Sequence, residues 1–97
     1  MGRVTVRVPG ALREFSGGEP LVTVDVPADP PPSVAAVLDL LSGSHPALER
    51  RIRDETGALR EHVNVFVGSD NVRDLDRLST VIPAGAELIV LPAVSGG

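Results

Sequence analysis

The chain has 97 residues and a mass of 10.1 kDa, which suffices for one compact domain. Its 42% hydrophobic and 23% charged residues are typical of a globular domain and exclude a disordered tail or a membrane-spanning segment. The absence of cysteine excludes disulfides, thiolate nucleophiles and cysteine-based zinc sites.

Charge and aromatic content disfavour binding to nucleic acid. Thirteen acidic residues outnumber nine basic residues, for a formal net charge of −4, so the basic surplus of a nucleic-acid-binding domain is missing. The chain has no Trp or Tyr and two Phe, so it offers few rings on which bases could stack. The N-terminal residues lack the apolar run of a signal peptide, and we therefore expect a cytoplasmic protein.

Two segments near the N-terminus predict an antiparallel β-hairpin. Residues 3–8 and 21–26 place valine at every second position, which directs one set of side chains to one face of a sheet. In the connection between them, residues 11–15 are too few for a stable independent helix. Within it, we expect Leu12 and Phe15 to close one end of the core.

A proline-rich loop, residues 27–32, precedes the strongest helical pattern in the chain. Ser33 is placed to cap this helix, in which apolar residues follow the spacing of a single stripe. A shorter helix is predicted over residues 46–53, with Pro46 in its first turn. The apolar stripe of the first helix consists of Val34, Val37, Leu38 and Leu41.

Two more strands are predicted in the second half of the chain. Residues 62–67 alternate, and residues 68–71 have the composition of a turn. The last strand, residues 87–91, is almost wholly apolar, which predicts a central strand covered on both faces. Between them we expect a short edge strand at residues 72–73. Three apolar side chains are expected to pack beneath a loop there, namely Leu75, Leu78 and Val81.

The order of these elements predicts an α+β fold with a mixed four- to five-stranded sheet packed on one main helix. The last strand is the most apolar, so we expect it at the centre of the sheet. We expect residues 1–91 to form the domain and residues 92–97 to form a flexible C-terminal arm.

Side chains suited to catalysis are scarce. His45 and His62 lack the spacing of metal ligands, and we expect both in solvated positions. The acidic pairs at residues 54–55 and at 74 and 76 are expected to lie in solvated loops. The chain also lacks a glycine-rich loop with phosphate-binding spacing. We therefore expect no metal site and no independent enzyme activity.

The C-terminal segment is the most informative part of the sequence. Pro92 cannot donate a backbone N–H to a sheet, so we expect it to lift the chain off the sheet. From Pro92 onward the arm is uncharged and reaches at most about 20 Å. Gly96 and Gly97 lack a Cβ, so they fit a narrow channel and leave the terminal carboxyl carbon open to attack. The rest of the arm is Ala93, Val94 and Ser95, and we expect Leu91, Ala93 and Val94 to dock on a partner.

A terminal glycine pair alone is weak support for a function, because flexible tails favour glycine. The apolar strand 87–91 followed by Pro-Ala-Val-Ser-Gly-Gly resembles the ubiquitin-like β-grasp sulfur carriers of the ThiS/MoaD superfamily. The length, the strand at residues 63–67 and this ending resemble CysO-like and MoaD-like members more than the shorter ThiS. Ser95 departs mildly from the pattern, in which Ala or another small residue is common.

The resemblance implies a carrier on which other enzymes act. An E1-like adenylyltransferase/sulfurtransferase would use ATP to adenylate the Gly97 carboxylate, and a sulfur donor would convert the product into a thiocarboxylate. CysO-like members deliver this sulfur to an aminoacrylate on a cysteine synthase-type pyridoxal phosphate enzyme. MoaD-like members deliver it to a molybdopterin precursor in a complex with the molybdopterin synthase large subunit. ATP and pyridoxal phosphate would belong to the partners, with no cofactor bound by this chain.

Three alternatives to a CysO-like carrier stay open at this point. They are the small subunit of molybdopterin synthase, a ubiquitin-like protein modifier and a non-covalent β-grasp binding module. The chain has no lysine, so it cannot form lysine-linked polymers of itself.

Overall fold

The structure is a computed structural model that describes residues 2–27 and 29–92. Within these ranges the chain forms five strands and two α-helices. In chain order they are β1 (Gly2–Arg7), β2 (Leu21–Val26), α1 (Val34–Ser44), α2 (Pro46–Ile52), β3 (Val63–Val67), β4 (Asp70–Asn71) and β5 (Glu87–Pro92). Three 3-10 helices connect them, at Gly10–Ser16, Val72–Asp74 and Arg77–Ser79.

The five strands form one mixed sheet in the order β2-β1-β5-β3-β4. The hairpin of β1 and β2 is antiparallel, as predicted. β5 lies at the centre, parallel to β1 and antiparallel to β3. The predicted α+β fold and the central position of the last strand are therefore confirmed.

Both helices lie on one face of the sheet and enclose the core. Ser33 caps α1, because its Oγ accepts a hydrogen bond from the Ala36 N–H at 3.1 Å. The predicted apolar stripe of α1 is fully buried, as are Leu48 and Ile52 of α2. The 3-10 helix at Gly10–Ser16 packs Leu12 and Phe15 against the edge of this core, as predicted.

The prediction that β5 is covered on both faces is wrong for the described residues. Leu88 and Val90 are buried beneath the helices, whereas Ile89 is half-buried and Leu91 has 44% of its surface exposed. An unbroken apolar run predicts that a strand is buried, but it does not predict whether one or both faces of the strand are covered. Both helices pack on the side to which Leu88 and Val90 point, so the sheet has an open outer face.

The segment after β3 also differs from its prediction. The short edge strand is Asp70–Asn71, and Val72 begins a 3-10 helix. Gly68 adopts a positive φ of 62°, which suits the first position of a two-residue hairpin loop and lets the chain pair again at once. The Asn71 side chain then accepts a hydrogen bond from the Arg73 N–H at 3.0 Å, which caps the 3-10 helix and ends the strand.

The three apolar side chains expected beneath a loop divide into two groups. Leu78 is partly buried against the core. Leu75 and Val81 are exposed, so the prediction is wrong for these two residues.

Neither helix in the described part of the chain is long and apolar enough to cross a membrane.

Candidate functional site at the end of the central strand

The candidate site is the C-terminal end of β5, from which the predicted arm continues. Pro92 is half-buried and is the last residue of β5. The other predicted arm residues, Ala93, Val94, Ser95, Gly96 and Gly97, lie outside the described residues. The start of β3 lies at the same end of the sheet, because Val63 is the partner of Pro92.

Pro92 stays in the sheet, although we expected it to lift the chain off. The N–H of its partner Val63 donates to the Arg60 carbonyl at 3.1 Å. The Val63 carbonyl accepts from Arg73 Nη2 at 2.9 Å, so Val63 does not depend on an N–H from Pro92. On its other side, β5 stops pairing with β1 at Ile89. The missing proline N–H therefore costs no hydrogen bond in this position.

Arg73 fastens the backbone next to the end of β5. Its Nη2 donates to the carbonyls of Arg60 and Val63, both at 2.9 Å, and to that of Glu61 at 3.4 Å. Three carbonyls held by one guanidinium join the start of β3 to the segment after β4. No sequence pattern points to this role, because Arg73 is distant along the chain from the carbonyls that it binds.

The outer face of the sheet carries an apolar patch next to this end. Phe66 of β3 lies opposite Ile89 of β5, and both are half-buried. Leu91, which we expected to dock on a partner, lies on the same face and is exposed. Sequence analysis missed Phe66 and Ile89 as surface residues. Its alternation does contain the signal for Phe66, since inward Val65 and Val67 require an outward Phe66 between them.

The charged groups on the outer face pair with each other around this patch. Arg7 binds Glu87 through two hydrogen bonds, one of them from Nη2 to Oε2 at 3.3 Å. The hydrogen bond to Glu87 raises the pKa of Arg7 above its usual value. Arg3 lies 3.2 Å from Asp25 near the other end of the hairpin. The face therefore offers an apolar contact area bordered by neutralised charges, which is suited to binding a protein.

Of the two histidines, only His62 lies near the end of β5, because it directly precedes Val63, the partner of Pro92. His45 is half-buried between the two helices, with Nδ1 2.9 Å from Ser44 Oγ. His62 is exposed just before β3. Residues 2–27 and 29–92 contain no group of three or more histidine or acidic side chains that could hold a metal ion.

Among the acidic pairs, Asp54 has a structural role in the turn after α2. Its Oδ1 accepts hydrogen bonds from the Oγ1 and the N–H of Thr56, at 2.5 and 2.8 Å, and from the Ala58 N–H at 3.2 Å. These bonds, that from the Thr56 hydroxyl foremost, lower the pKa of Asp54 below its usual value. Asp74 and Asp76 are exposed, as predicted, but Asp74 ends the 3-10 helix Val72–Asp74 and does not lie in a loop.

Comparisons with known proteins agree with this fold and with the family resemblance of the sequence. The ThiS family matches residues 6–97. The sulfur carrier protein CysO of Mycobacterium tuberculosis is 33% identical over 96 residues, which covers 97% of this chain and 98% of that protein. Small archaeal modifier protein 1 of Haloferax volcanii is 40% identical over 86 residues, which covers 89% of this chain and 91% of that protein.

A solved structure gives the same result for the fold. A chain in the crystal structure of the Amycolatopsis orientalis BexX/CysO complex matches with a TM-score of 0.83 and 32% sequence identity, over 97% of this chain and 99% of that chain. The matches extend over nearly the whole chain and agree with the resemblance that the C-terminal residues indicate. This chain therefore belongs to the ThiS family and is a CysO-like member of the ubiquitin-like β-grasp sulfur carriers.

Proposed function

We propose that this chain carries sulfur as a thiocarboxylate on the carboxyl group of Gly97, for the biosynthesis of cysteine or a related sulfur metabolite. The position of β5 is the observation that carries the proposal. This strand pairs with β1 as far as Ile89 and with β3 as far as Pro92, beside the exposed side chain of Leu91. A strand fixed in this way directs the residues that follow it from one defined point on the surface.

The chemistry requires activation because a free carboxylate is a poor acyl donor. An E1-like adenylyltransferase transfers AMP from ATP to a Gly97 carboxylate oxygen, and pyrophosphate leaves. Hydrosulfide from a sulfur donor then attacks the acyl carbon, and AMP leaves with the former carboxylate oxygen. The product holds sulfur as a nucleophilic thiocarboxylate, and no net oxidation or reduction occurs.

Delivery of the sulfur requires a second partner. We expect a cysteine synthase-type pyridoxal phosphate enzyme, in which the thiocarboxylate sulfur attacks an aminoacrylate. The similarity to CysO supports this choice of partner. ATP and pyridoxal phosphate are bound by these partners, and this chain acts as a carrier and not as an enzyme.

The outer face of the sheet supplies the contact that brings a partner to the arm. Leu91 lies on this face next to Ile89 and Phe66, immediately before the arm. We expect Leu91, Ala93 and Val94 to contact the partner while Gly96 and Gly97 enter its nucleotide site. A charge at Leu91 or Val94 would be buried without a partner in such a complex and would weaken it.

Intact-mass measurement of the full chain tests the proposal. After incubation with ATP, sulfide and the adenylating enzyme of the same organism, we expect a mass gain equal to the replacement of one oxygen by sulfur. Deletion of Gly97 should abolish the gain, whereas the control Thr23→Ala on the exposed face of β2 should retain it. An unmodified wild-type chain, or a modified deletion variant, would contradict the proposal.

A protein modifier is the second candidate function, because the chain is 40% identical to small archaeal modifier protein 1. In that case the activated Gly97 carboxyl group would form isopeptide bonds with lysine side chains of other proteins. Adducts that depend on Gly97, detected by mass spectrometry of a cell extract incubated with ATP and the tagged chain, would support this function. The same two glycines would serve both reactions.

A further inference from the structure

We propose that a cationic groove on the helix side of the molecule binds an acidic segment of the adenylating enzyme that acts on the C-terminus. The groove is open to solvent and lies between the 3-10 helix at Gly10–Ser16, α2 and the segment before β3. It is lined by Phe15, Pro46, Ala47, Arg50, Arg51 and Arg60. The identity of the partner rests on the proposed function, whereas the chemistry of the groove is independent of it.

The three arginines of the groove lack carboxylate partners in the described part of the chain. The ion pairs found there involve other arginines, namely Arg3, Arg7 and Arg53. The chain as a whole is acidic, with a net charge of −4. Three guanidinium groups that line one groove, none of them in an ion pair among the described residues, are therefore a local exception to the charge of the molecule.

Neutral contacts already hold two of these guanidinium groups in place. The Arg51 guanidinium carbon lies 4.4 Å from the centre of the Phe15 ring. Arg60 Nε donates to the Arg50 carbonyl at 2.7 Å, which leaves the terminal nitrogens of Arg60 free to bind a carboxylate. Because these contacts are made before a ligand arrives, binding loses less side-chain entropy.

Among the carboxylates on the other side of Arg50 and Arg60, Asp39, Glu49 and Asp54 have partners in the described part of the chain, and Glu55 has none there. Asp39 and Glu49 both bind Arg53, at 2.8 and 3.2 Å. Burial would lower the pKa of Arg53, but its hydrogen bonds to these two carboxylates raise the pKa above its usual value. Asp54 accepts hydrogen bonds from Thr56 and Ala58 in the turn after α2, and the charge of Arg60 also helps to lower its pKa. Arg50 and Arg60 line both sides, whereas Arg51 lines only the Phe15 side, where no carboxylate lines the groove.

The composition of the groove favours an acidic peptide segment over nucleic acid. Phe15 is half-buried and, with Pro46 and Ala47, provides an apolar wall for one side chain of a peptide. Guanidinium groups bind carboxylates in a bidentate manner. A long polyanion would also face the negative charge that the rest of the chain carries, whereas a short acidic segment engages the groove alone.

The groove is close to the end of β5, which is why the partner acting on the C-terminus is its expected ligand. Arg60 lies three residues before Val63, a distance of at most about 11 Å along the chain. Val63 is the partner of Pro92, the last residue before the undescribed part of the arm. An enzyme that receives the arm at this end of the sheet would thus lie close to Arg60 at the edge of the cationic groove.

Binding of a model peptide tests the groove without any partner enzyme. The probe is a blocked hexapeptide with the sequence Glu-Asp-Glu-Leu-Asp-Glu, titrated at low salt into the full, nitrogen-15-labelled chain. We expect NMR shifts at the amides of Phe15, residues 47–51 and Arg60, and a loss of these shifts at high salt. The Arg50→Gln/Arg51→Gln variant should weaken binding by about tenfold or more.

Three controls decide the result of this titration. The Gln/Asn version of the peptide should not bind, and the Arg3→Gln variant, altered on the outer face, should bind as the wild type does. Inorganic phosphate should bind more weakly than the peptide. Shifts centred elsewhere, equal binding by the double variant, or tighter binding of phosphate would overturn the inference.

Kinetics with the adenylating enzyme of the same organism test the assignment of the partner. We expect the Arg50→Gln/Arg51→Gln variant to raise the KM for the carrier by about tenfold with an unchanged kcat. The Arg50→Lys/Arg51→Lys variant should restore part of the loss. If the wild-type chain is activated and the double variant has the same KM, the partner assignment is wrong. If the wild-type chain is not activated, the proposed function fails, and the peptide titration still decides the groove.

Discussion

The two faces of the sheet use the same kind of residue for different purposes. On the inner face, the buried strand residues, which are valines and Leu88, pack against α1 and α2. On the outer face, Phe66 and Ile89 are half-buried and Leu91 is exposed. Because side chains alternate along a strand, β5 contributes to the core with one set of residues and presents a contact surface with the other. Hydrophobicity alone therefore does not reveal whether a residue stabilises the fold or binds a partner.

Adjacent substitutions in β5 should show the largest difference between the faces. Val90 is 1% exposed, so the carboxylate introduced by Val90→Asp would be buried in the apolar core. This variant should lower the free energy of unfolding by at least about 4 kcal/mol. Leu91→Asp on the open face should lower it by less than about 1 kcal/mol. Urea unfolding followed by circular dichroism measures both values. Similar losses for the two variants would contradict the distinction.

The same contrast can be tested on α1. Leu38 is fully buried, and Leu38→Ala should lower the free energy of unfolding by about 2–5 kcal/mol, because a cavity remains in the core. Leu40 is 46% exposed, and Leu40→Ala should change the free energy of unfolding by at most about 0.5 kcal/mol. Urea midpoints for the two variants give the comparison. A large loss in Leu40→Ala would mean that something covers this side of α1.

The ion pair on the outer face should make a smaller contribution. Arg7 and Glu87 are partly solvated, so Arg7→Gln should lower the free energy of unfolding by less than Leu38→Ala does. The difference from the wild type should shrink as salt is added, because salt screens exposed charges. Unfolding at low and high ionic strength measures this dependence. A loss that does not vary with salt would indicate a packing role for the Arg7 side chain.

The smallest effect concerns the turn that follows α2, on the helix side. The pKa of Asp54 is below its ordinary value of 3.8 in the folded state, so its ionised form stabilises the fold. This contribution is present in full above the ordinary value and is lost as the pH falls through the lower folded pKa. Thermal unfolding from neutral to acidic pH should therefore show a gap between wild type and Asp54→Asn that narrows at low pH. A gap that is constant with pH would exclude this role of the charge.

Most of the fold was predictable from local patterns, and the errors have a common cause. Alternating valines predicted β1, β2 and β3, and the apolar stripe after Ser33 predicted α1. The errors lie where neighbours decide the outcome. The open outer face of β5 depends on where the helices pack, and the position of β4 depends on the conformation at Gly68.

The candidate site divides in the same way. The glycine pair and the uncharged arm are properties of consecutive residues, and the family match agrees with them. The cationic groove has no such signature. Phe15 and Arg51 are distant along the chain and meet only in the folded molecule. The Arg60 backbone N–H donates to the Ile52 carbonyl at 2.9 Å, and this hydrogen bond brings the loop back to α2, where the Arg60 side chain contacts Arg50.

The amino-acid sequence by itself determined the α+β class, the main helix with its serine cap, the central place of the last strand and the family indicated by the C-terminal residues. These features follow from periodicity, composition and short-range chemistry. Tertiary structure alone decided which face of the sheet stays open, why Pro92 fits within β5, and which arginines gather around Phe15. Each of these depends on contacts between residues far apart in the chain, which arise only when the helices and strands pack together.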